Sequence, residues 1–106
     1  MPGRSLGEFE QLVLLAILRI GPGAYAVPII EEIQTRTDRE VSHAAVYVAL
    51  RRLENKGLVT SRLADPTRER GGRAKRYYEV QPEALPRLRE HRDALTSMWE
   101  GLEAEG

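Results

Sequence analysis

The sequence predicts a mainly α-helical fold with one small β-hairpin, and three observations support this prediction. Apolar residues recur at helical spacing in four segments of the chain. Two short segments alternate β-favouring and polar residues on either side of a glycine-containing loop. The chain has 106 residues and no cysteine, which is enough for one hydrophobic core and excludes disulfides and thiolate metal sites.

The first predicted helix runs from Leu6 to Ile20, and the stretch Leu12–Leu18 within it is apolar at every position. A helix that is apolar on nearly all sides needs cover from more than one direction, which a small domain does not readily supply. The helix ends at the breaker Gly21-Pro22-Gly23, and a second helix is predicted at about 26–37. Pro28 is compatible with that helix in its first turn.

The third predicted helix extends from His43 to Lys56, because Ser42 is a favourable N-cap and Gly57 stands where a left-handed residue ends a helix. Its core face consists of Val46, Ala49, Leu50 and Leu53. The opposite face mixes small, aromatic and cationic residues, namely Ala44, Tyr47, Val48, Arg51, Arg52 and Asn55. That second face is predicted to point away from the core.

Two antiparallel strands are predicted at Leu58–Leu63 and Lys75–Val80, where valine, threonine and tyrosine alternate with polar residues. The loop between them is Ala64–Ala74. It combines one proline and two glycines with three arginines: Pro66, Gly71, Gly72, Arg68, Arg70 and Arg73. We therefore expect a flexible, basic loop.

The last predicted helix runs from Glu83 to about Glu103, and it begins either near Pro82 or at Pro86. Its apolar stripe consists of Leu85, Leu88, Leu95, Trp99 and Leu102, with Arg92 in the remaining position of a 3, 4, 3, 4, 3 spacing. This spacing fits a short coiled coil between two chains, and it equally fits a helix that lies on its own domain.

Three helices, a hairpin with a basic loop and a final helix follow one another in the order of a winged helix-turn-helix. The formal net charge of the chain is zero, but residues 1–40 carry a net charge of −2, residues 41–80 of +5 and residues 81–106 of −3. The central segment is thus suited to bind a polyanion such as double-stranded DNA. We predict a DNA-binding domain at 1–80 and a C-terminal dimerisation helix at 81–106.

The predicted DNA-binding residues lie on the third helix and on the hairpin with its loop, the wing. The helix would enter the major groove, where Arg51 or Arg52 contacts guanine edges or phosphates and Tyr47 donates from its hydroxyl. The full set is Ser42, His43, Ala44, Tyr47, Arg51, Arg52, Arg70, Arg73, Lys75 and Arg76. The alternative is a winged-helix interaction module that uses Tyr47 and Arg51 to bind an acidic protein.

Catalysis is not expected. The two histidines, His43 and His91, belong to no nucleophilic or zinc-binding arrangement, and the adjacent Glu31 and Glu32 diverge by about 100° on a helix. No metal or cofactor site is predicted. The longest apolar run has seven residues, far fewer than the ~18 that a membrane span needs, and no signal-peptide pattern precedes it. We expect a cytoplasmic protein.

Four stretches resemble the PadR family of bacterial transcriptional regulators: residues 6–10 (LGEFE), 42–47 (SHAAVY), 50–59 (LRRLENKGLV) and 71–78 (GGRAKRYY). The resemblance implies a winged-helix dimer, held by its first and last helices, that represses transcription by blocking a palindromic operator. Tyr47 matches the tyrosine of that family's recognition helix, and Arg73, Lys75 and Arg76 match its basic wing. The chain departs from the family at Ala74 and at Val48-Ala49, where proline is frequent.

The stripe on the last helix supports the prediction of a homodimer, because so small a core cannot cover both this stripe and the first helix. Trp99 is predicted at or near the dimer interface. It is also the candidate contact for a small-molecule effector, but few polar groups accompany it, so the favoured interpretation is a buried indole that simply fills the interface.

Overall fold

The computed structural model describes residues 5–64 and 75–102 of the chain. Its elements are, in order, α1 (Glu8–Ile20), α2 (Ala26–Thr37), α3 (His43–Asn55), β1 (Val59–Leu63), β2 (Arg76–Val80) and α4 (Ala84–Trp99). Four helices and one antiparallel hairpin confirm the predicted fold class. No helix within the described ranges is long and apolar enough to cross a membrane.

Local signals determine where α1 and α3 begin. Gly7 is the extended residue before α1, and its N–H donates to the Glu10 carboxylate at 3.0 Å. The helix therefore starts two residues later than predicted. Ser42 caps α3 as expected, because its Oγ accepts a hydrogen bond from the Ala45 N–H at 3.1 Å. Gly57 follows the last turn of α3 with a φ of +76°, a conformation that strains residues with a Cβ.

The core lies where α1, α2 and α3 meet the hairpin. Each helix contributes one apolar face, and the largest fully buried side chains include Leu14, Ile29, Leu50 and Leu53. The predicted core face of α3 is confirmed, since Val46, Ala49, Leu50 and Leu53 are all buried. Burial of a leucine or isoleucine side chain stabilises a fold by about 1.5 to 3 kcal/mol, so this face holds α3 in a defined orientation.

Tyr78 attaches the hairpin to the helical core through both its backbone and its side chain. Its strands pair antiparallel from Val59 opposite Val80 to Leu63 opposite Arg76. The Tyr78 N–H donates to the Ala24 carbonyl at 2.9 Å, in the connection between α1 and α2. The Tyr78 side chain is itself buried in the core. The wing is therefore fastened to the turn that precedes α2.

The last helix begins near Pro82 and not at Pro86. A turn at Pro82 leads into α4 at Ala84, and Pro86 occupies the first turn, where a missing N–H breaks no helical hydrogen bond. The helix ends at Trp99, four residues before the predicted end. Ala84 and Leu88 are buried in the core, so α4 begins as part of the domain. The division between residues 80 and 81 remains a prediction.

Candidate nucleic-acid interface

The outward face of α3 carries most of the predicted site residues of the helical part of the domain. Ala44, Tyr47, Val48, Arg51 and Asn55 are all exposed. The buried face on the other side holds the helix, so these side chains project from a fixed backbone. Such a helix, anchored along one side and free along the other, has the geometry that enters a DNA groove.

The start of α3 presents polar groups next to free backbone donors. Ser42 and His43 are exposed, and Ser42 Oγ is occupied as the acceptor of the N-cap hydrogen bond. Its hydroxyl hydrogen is still able to donate to an acceptor. The N-terminus of α3 carries the positive end of the helix dipole, which favours a phosphate there.

Arg51 and Arg52 lie on different sides of α3. Arg52 lines a mainly apolar groove between α3 and the start of α1, together with Ala45 and Phe9. Its positive charge acts on the Glu10 carboxylate. Arg51 lies on the opposite flank, within electrostatic range of the Tyr78 hydroxyl on the wing. The sequence pattern grouped the two arginines on one face, and the structure separates them.

Two of the described cations of the wing lie at the start of β2, and a third, Arg62, lies on β1. Lys75 and Arg76 are exposed, and their contact with phosphates stays a prediction. Arg76 Nη1 donates to Ser61 Oγ at 3.1 Å, and Ser61 Oγ donates to Glu54 Oε2 at 2.7 Å. These hydrogen bonds join the wing to α3. The other two predicted wing residues, Arg70 and Arg73, lie outside the described residues.

An aromatic cluster at the base of the wing was missed by sequence reasoning. The rings of Tyr25 and Tyr77 pack edge to face, with centroids 5.7 Å apart. Lys75 Nζ lies 4.6 Å from the Tyr25 ring centroid, and the Arg62 guanidinium lies 5.1 Å from that of Tyr77. Cation–π contacts of this kind hold cations in place while leaving their charge available. No local signal links residue 25 to residue 75, which is why the cluster was not foreseen.

The protonation state of Tyr78 depends mainly on its burial. Burial, and next the nearby Glu54 carboxylate, raises the pKa of Tyr78 above its ordinary value of 10.0. Its hydroxyl is therefore protonated at neutral pH and adds no negative charge under the exposed face of α3.

A second missed feature joins α1 to the end of α3. Lys56 Nζ donates to Glu10 Oε1 at 2.6 Å and to the Ser5 carbonyl at 2.7 Å. Burial alone would raise the pKa of Glu10. The hydrogen bonds from Lys56 and from the Gly7 N–H outweigh burial and hold that pKa below the ordinary value of 4.5. The carboxylate is thus ionised and paired at neutral pH.

A helix-turn-helix with an exposed third helix and a cationic hairpin defines the class of winged-helix transcriptional regulators. The model of the transcriptional regulator PadR-like family matches residues 14–90, and the chain belongs to this family. Members of the family are DNA-binding regulators and not enzymes. The resemblance noted in the sequence is confirmed.

Solved structures of similar fold agree with this assignment. A transcriptional regulator from Clostridium thermocellum is 21% identical, with a TM-score of 0.70 and coverage of 89% of each chain. A PadR-like transcription factor from Bacteroides fragilis is 22% identical, with a TM-score of 0.72 and coverage of 92% of this chain and 89% of its own. A PadR family regulator from Eggerthella lenta is 23% identical, with a TM-score of 0.68 and coverage of 92% and 84%. No curated protein sequence matches significantly.

Proposed function

We propose that this protein represses transcription by binding a palindromic operator as a homodimer. The observation that carries the proposal is the exposed face of α3 beside the cationic start of β2. In this proposal α3 lies in the major groove, which is ~12 Å wide. Arg51 and Tyr47 reach base edges, and Ala44 permits a close approach. Lys75 and Arg76, with Arg70 and Arg73, contact phosphates or the adjacent minor groove.

Three further residues are proposed to contact the phosphate backbone of the DNA. Ser42 and His43 stand at the N-terminus of α3, where donors and the helix dipole suit a phosphate. Arg52, on the flank that faces α1, would reach a phosphate rather than a base. These contacts would position the helix without reading the sequence.

The second half of α4 supports the homodimer. Leu95 is 59% exposed, Met98 75%, Trp99 53% and Leu102 71%, whereas Leu88 in the same stripe is 7% exposed. On α1, Leu15 and Leu18 are also exposed. Contiguous exposed apolar groups are uncommon on monomers and mark contact surfaces. The proposed dimer interface is thus formed by Leu95, Met98, Trp99 and Leu102, with Leu85 at its edge and Leu88 left to the core of its own chain.

A twofold-symmetric dimer would place two copies of α3 about 34 Å apart, one turn of DNA, and so impose a palindrome. In this proposal the bound dimer represses transcription by blocking the operator. An effector that stacks on Trp99 remains a prediction. Quenching of the single tryptophan by flat aromatic compounds, together with release of DNA, is its test.

Sequence discrimination is expected to depend on Arg51. The Arg51→Ala variant should lose about 1 to 3 kcal/mol of binding free energy on the operator and less on random DNA, because a guanine contact is lost. The Arg51→Lys variant retains the charge but lacks the planar fork that forms bidentate hydrogen bonds to guanine. It should therefore keep its affinity for random DNA and still lose discrimination between the operator and random DNA. Mobility shifts with the protein's own promoter and with random duplexes measure both. Equal losses on both DNAs in the two variants would show that Arg51 only contacts phosphate.

The wing is expected to supply salt-dependent affinity. Replacing Lys75 and Arg76 with alanine should weaken binding to every sequence and reduce the slope of log affinity against log salt by about one unit per lost phosphate contact. Arg89→Ala removes one positive charge from an exposed position on α4, as each single wing substitution does from the wing, and it should leave the slope unchanged. A slope that stays the same in the wing variants would remove Lys75 and Arg76 from the DNA interface.

A further inference from the structure

Two apolar side chains stand in the middle of the outward face of α3. Val48 is 45% exposed, and the exposed Ala44 lies one turn before it on the same side. Arg51 follows three residues after Val48, which places it on the same face. Val48 and Ala44 also line the groove that Arg52 lines, so the apolar centre of the surface proposed to face bases lies between Arg51 and Arg52.

The core of the domain does not require a valine at position 48. The core face of α3 is complete without it, because Val46, Leu50 and Leu53 are each at most 1% exposed. Valine is also a poorer helix former than alanine or the long polar residues, since its branched Cβ loses rotamer freedom in a helix. Val48 lies only partly in the groove beside α1, since 45% of its surface stays exposed.

The major groove offers one group that such a surface recognises. Thymine is the only base of unmodified DNA that presents a methyl group there, whereas cytosine presents an N4 amino donor at the corresponding edge. A valine against the methyl group removes apolar surface from water. Cytosine has a hydrogen in place of that methyl group, so the same valine gains less apolar contact there. Val48 therefore favours thymine over cytosine at one position.

We infer that Val48, supported by Ala44, selects a thymine in each operator half-site through its C5-methyl group, next to the position that Arg51 reads. This inference rests on the proposed function, because it requires that α3 face the bases. It assigns to Val48 a specificity-determining role that neither charge nor hydrogen bonding would indicate.

The test removes the methyl group alone. The full chain first selects its site from a library of random duplexes, and each thymine of that site is then replaced by deoxyuridine, one at a time. We expect one uracil per half-site to weaken binding by about fourfold, the effect of one buried methyl group. The Val48→Ala variant should bind the thymine and uracil sites equally. Replacement of the same thymine by cytosine should weaken binding of the wild-type protein at least as much as uracil does, because cytosine also lacks the methyl group, and 5-methylcytosine should restore part of the loss.

A matched control comes from α2. Val27 is 41% exposed, so Val27→Ala removes an equally exposed valine from another helix, and this variant should keep the sensitivity to uracil. Both alanine variants should unfold no more easily than the wild-type protein, because neither side chain is in the core. Uracil tolerated at every position by the wild-type protein, or sensitivity retained in Val48→Ala, would overturn the role of Val48 while leaving DNA binding intact. Failure to enrich any site, with no binding to random DNA, would overturn the proposed function itself.

Discussion

Replacement of Lys56 by methionine is expected to lower the free energy of unfolding by about 2 to 4 kcal/mol. Loss of one partner of a buried ion pair leaves an uncompensated charge, and such losses are typically about 3 to 5 kcal/mol. The expected loss in Lys56→Met extends below this typical range because the Lys56 side chain is 16% exposed and Arg52 remains close to Glu10. Urea denaturation monitored by circular dichroism measures the change.

The matched control is Arg39→Met. Arg39 pairs with Glu8 at 2.8 Å, but both side chains are well exposed, and exposed ion pairs contribute at most about 1 kcal/mol. The two variants make the same kind of change near the start of α1 and differ in burial. A loss in Lys56→Met no larger than that in Arg39→Met would mean that the buried pair does not fasten α1 to α3.

The Lys56–Glu10 ion pair also makes the free energy of unfolding depend on pH in the acidic range. Because the pKa of Glu10 in the folded protein lies below its value in the unfolded chain, the contribution of Glu10 is fully present above about pH 4.5. It disappears as the pH falls through the folded-state pKa. In Lys56→Met the folded-state pKa rises, so stability should fall less than in the wild-type protein between about pH 5 and pH 3. Parallel pH profiles of the two proteins would contradict this assignment.

The Leu95→Asp variant is expected to raise the dissociation constant of the proposed dimer at least about 100-fold, close to 3 kcal/mol. The aspartate would bring a charge into the apolar surface formed by Leu95, Met98, Trp99 and Leu102, all of which are exposed in the single chain. Sedimentation velocity should therefore show a monomer at micromolar concentration. Operator affinity should fall as well, because each monomer engages only one half-site.

Ser97→Asp is the control for this experiment. Ser97 is exposed on the side of α4 away from the stripe. The Ser97→Asp substitution therefore adds the same charge to the same helix, and it should leave the dimer intact. Substitution is preferable to removal of residues 81–106, because that truncation would also take Ala84 and Leu88 out of the core. A wild-type protein that sediments as a monomer, with and without DNA, would refute the dimer.

Features determined by neighbouring residues were predictable from the sequence. The N-cap at Ser42, the left-handed Gly57 and the buried face of α3 depend on residues within one or two helical turns, and each was predicted at the right position. The order of the elements followed from their separate patterns. The outward residues of α3 could be named for the same reason, since a helix with one buried face exposes the other.

Contacts between distant residues were decided by the tertiary structure. Lys56 meets Glu10 across 46 positions, and Lys75 meets Tyr25 across 50, because packing of α1, α3 and the wing brings them together. The spacing of apolar residues along the sequence gives no information about which distant residues meet. The separation of Arg51 from Arg52 is a related case, because adjacent residues on a helix diverge by about 100° and only the neighbouring elements determine what each one faces.

The stripe on α4 shows most clearly where the two kinds of information divide. The sequence by itself determined that Leu88, Leu95 and Trp99 share one side of a helix, because 3 and 4 residue spacing does so on any helix. Only the tertiary structure decided that Leu88 is buried in its own domain while Leu95 and Trp99 are exposed. The reason is length: α4 has 16 residues, about 24 Å, and the core ends beneath its first turns. Helical spacing is local, whereas burial depends on how far the rest of the fold extends.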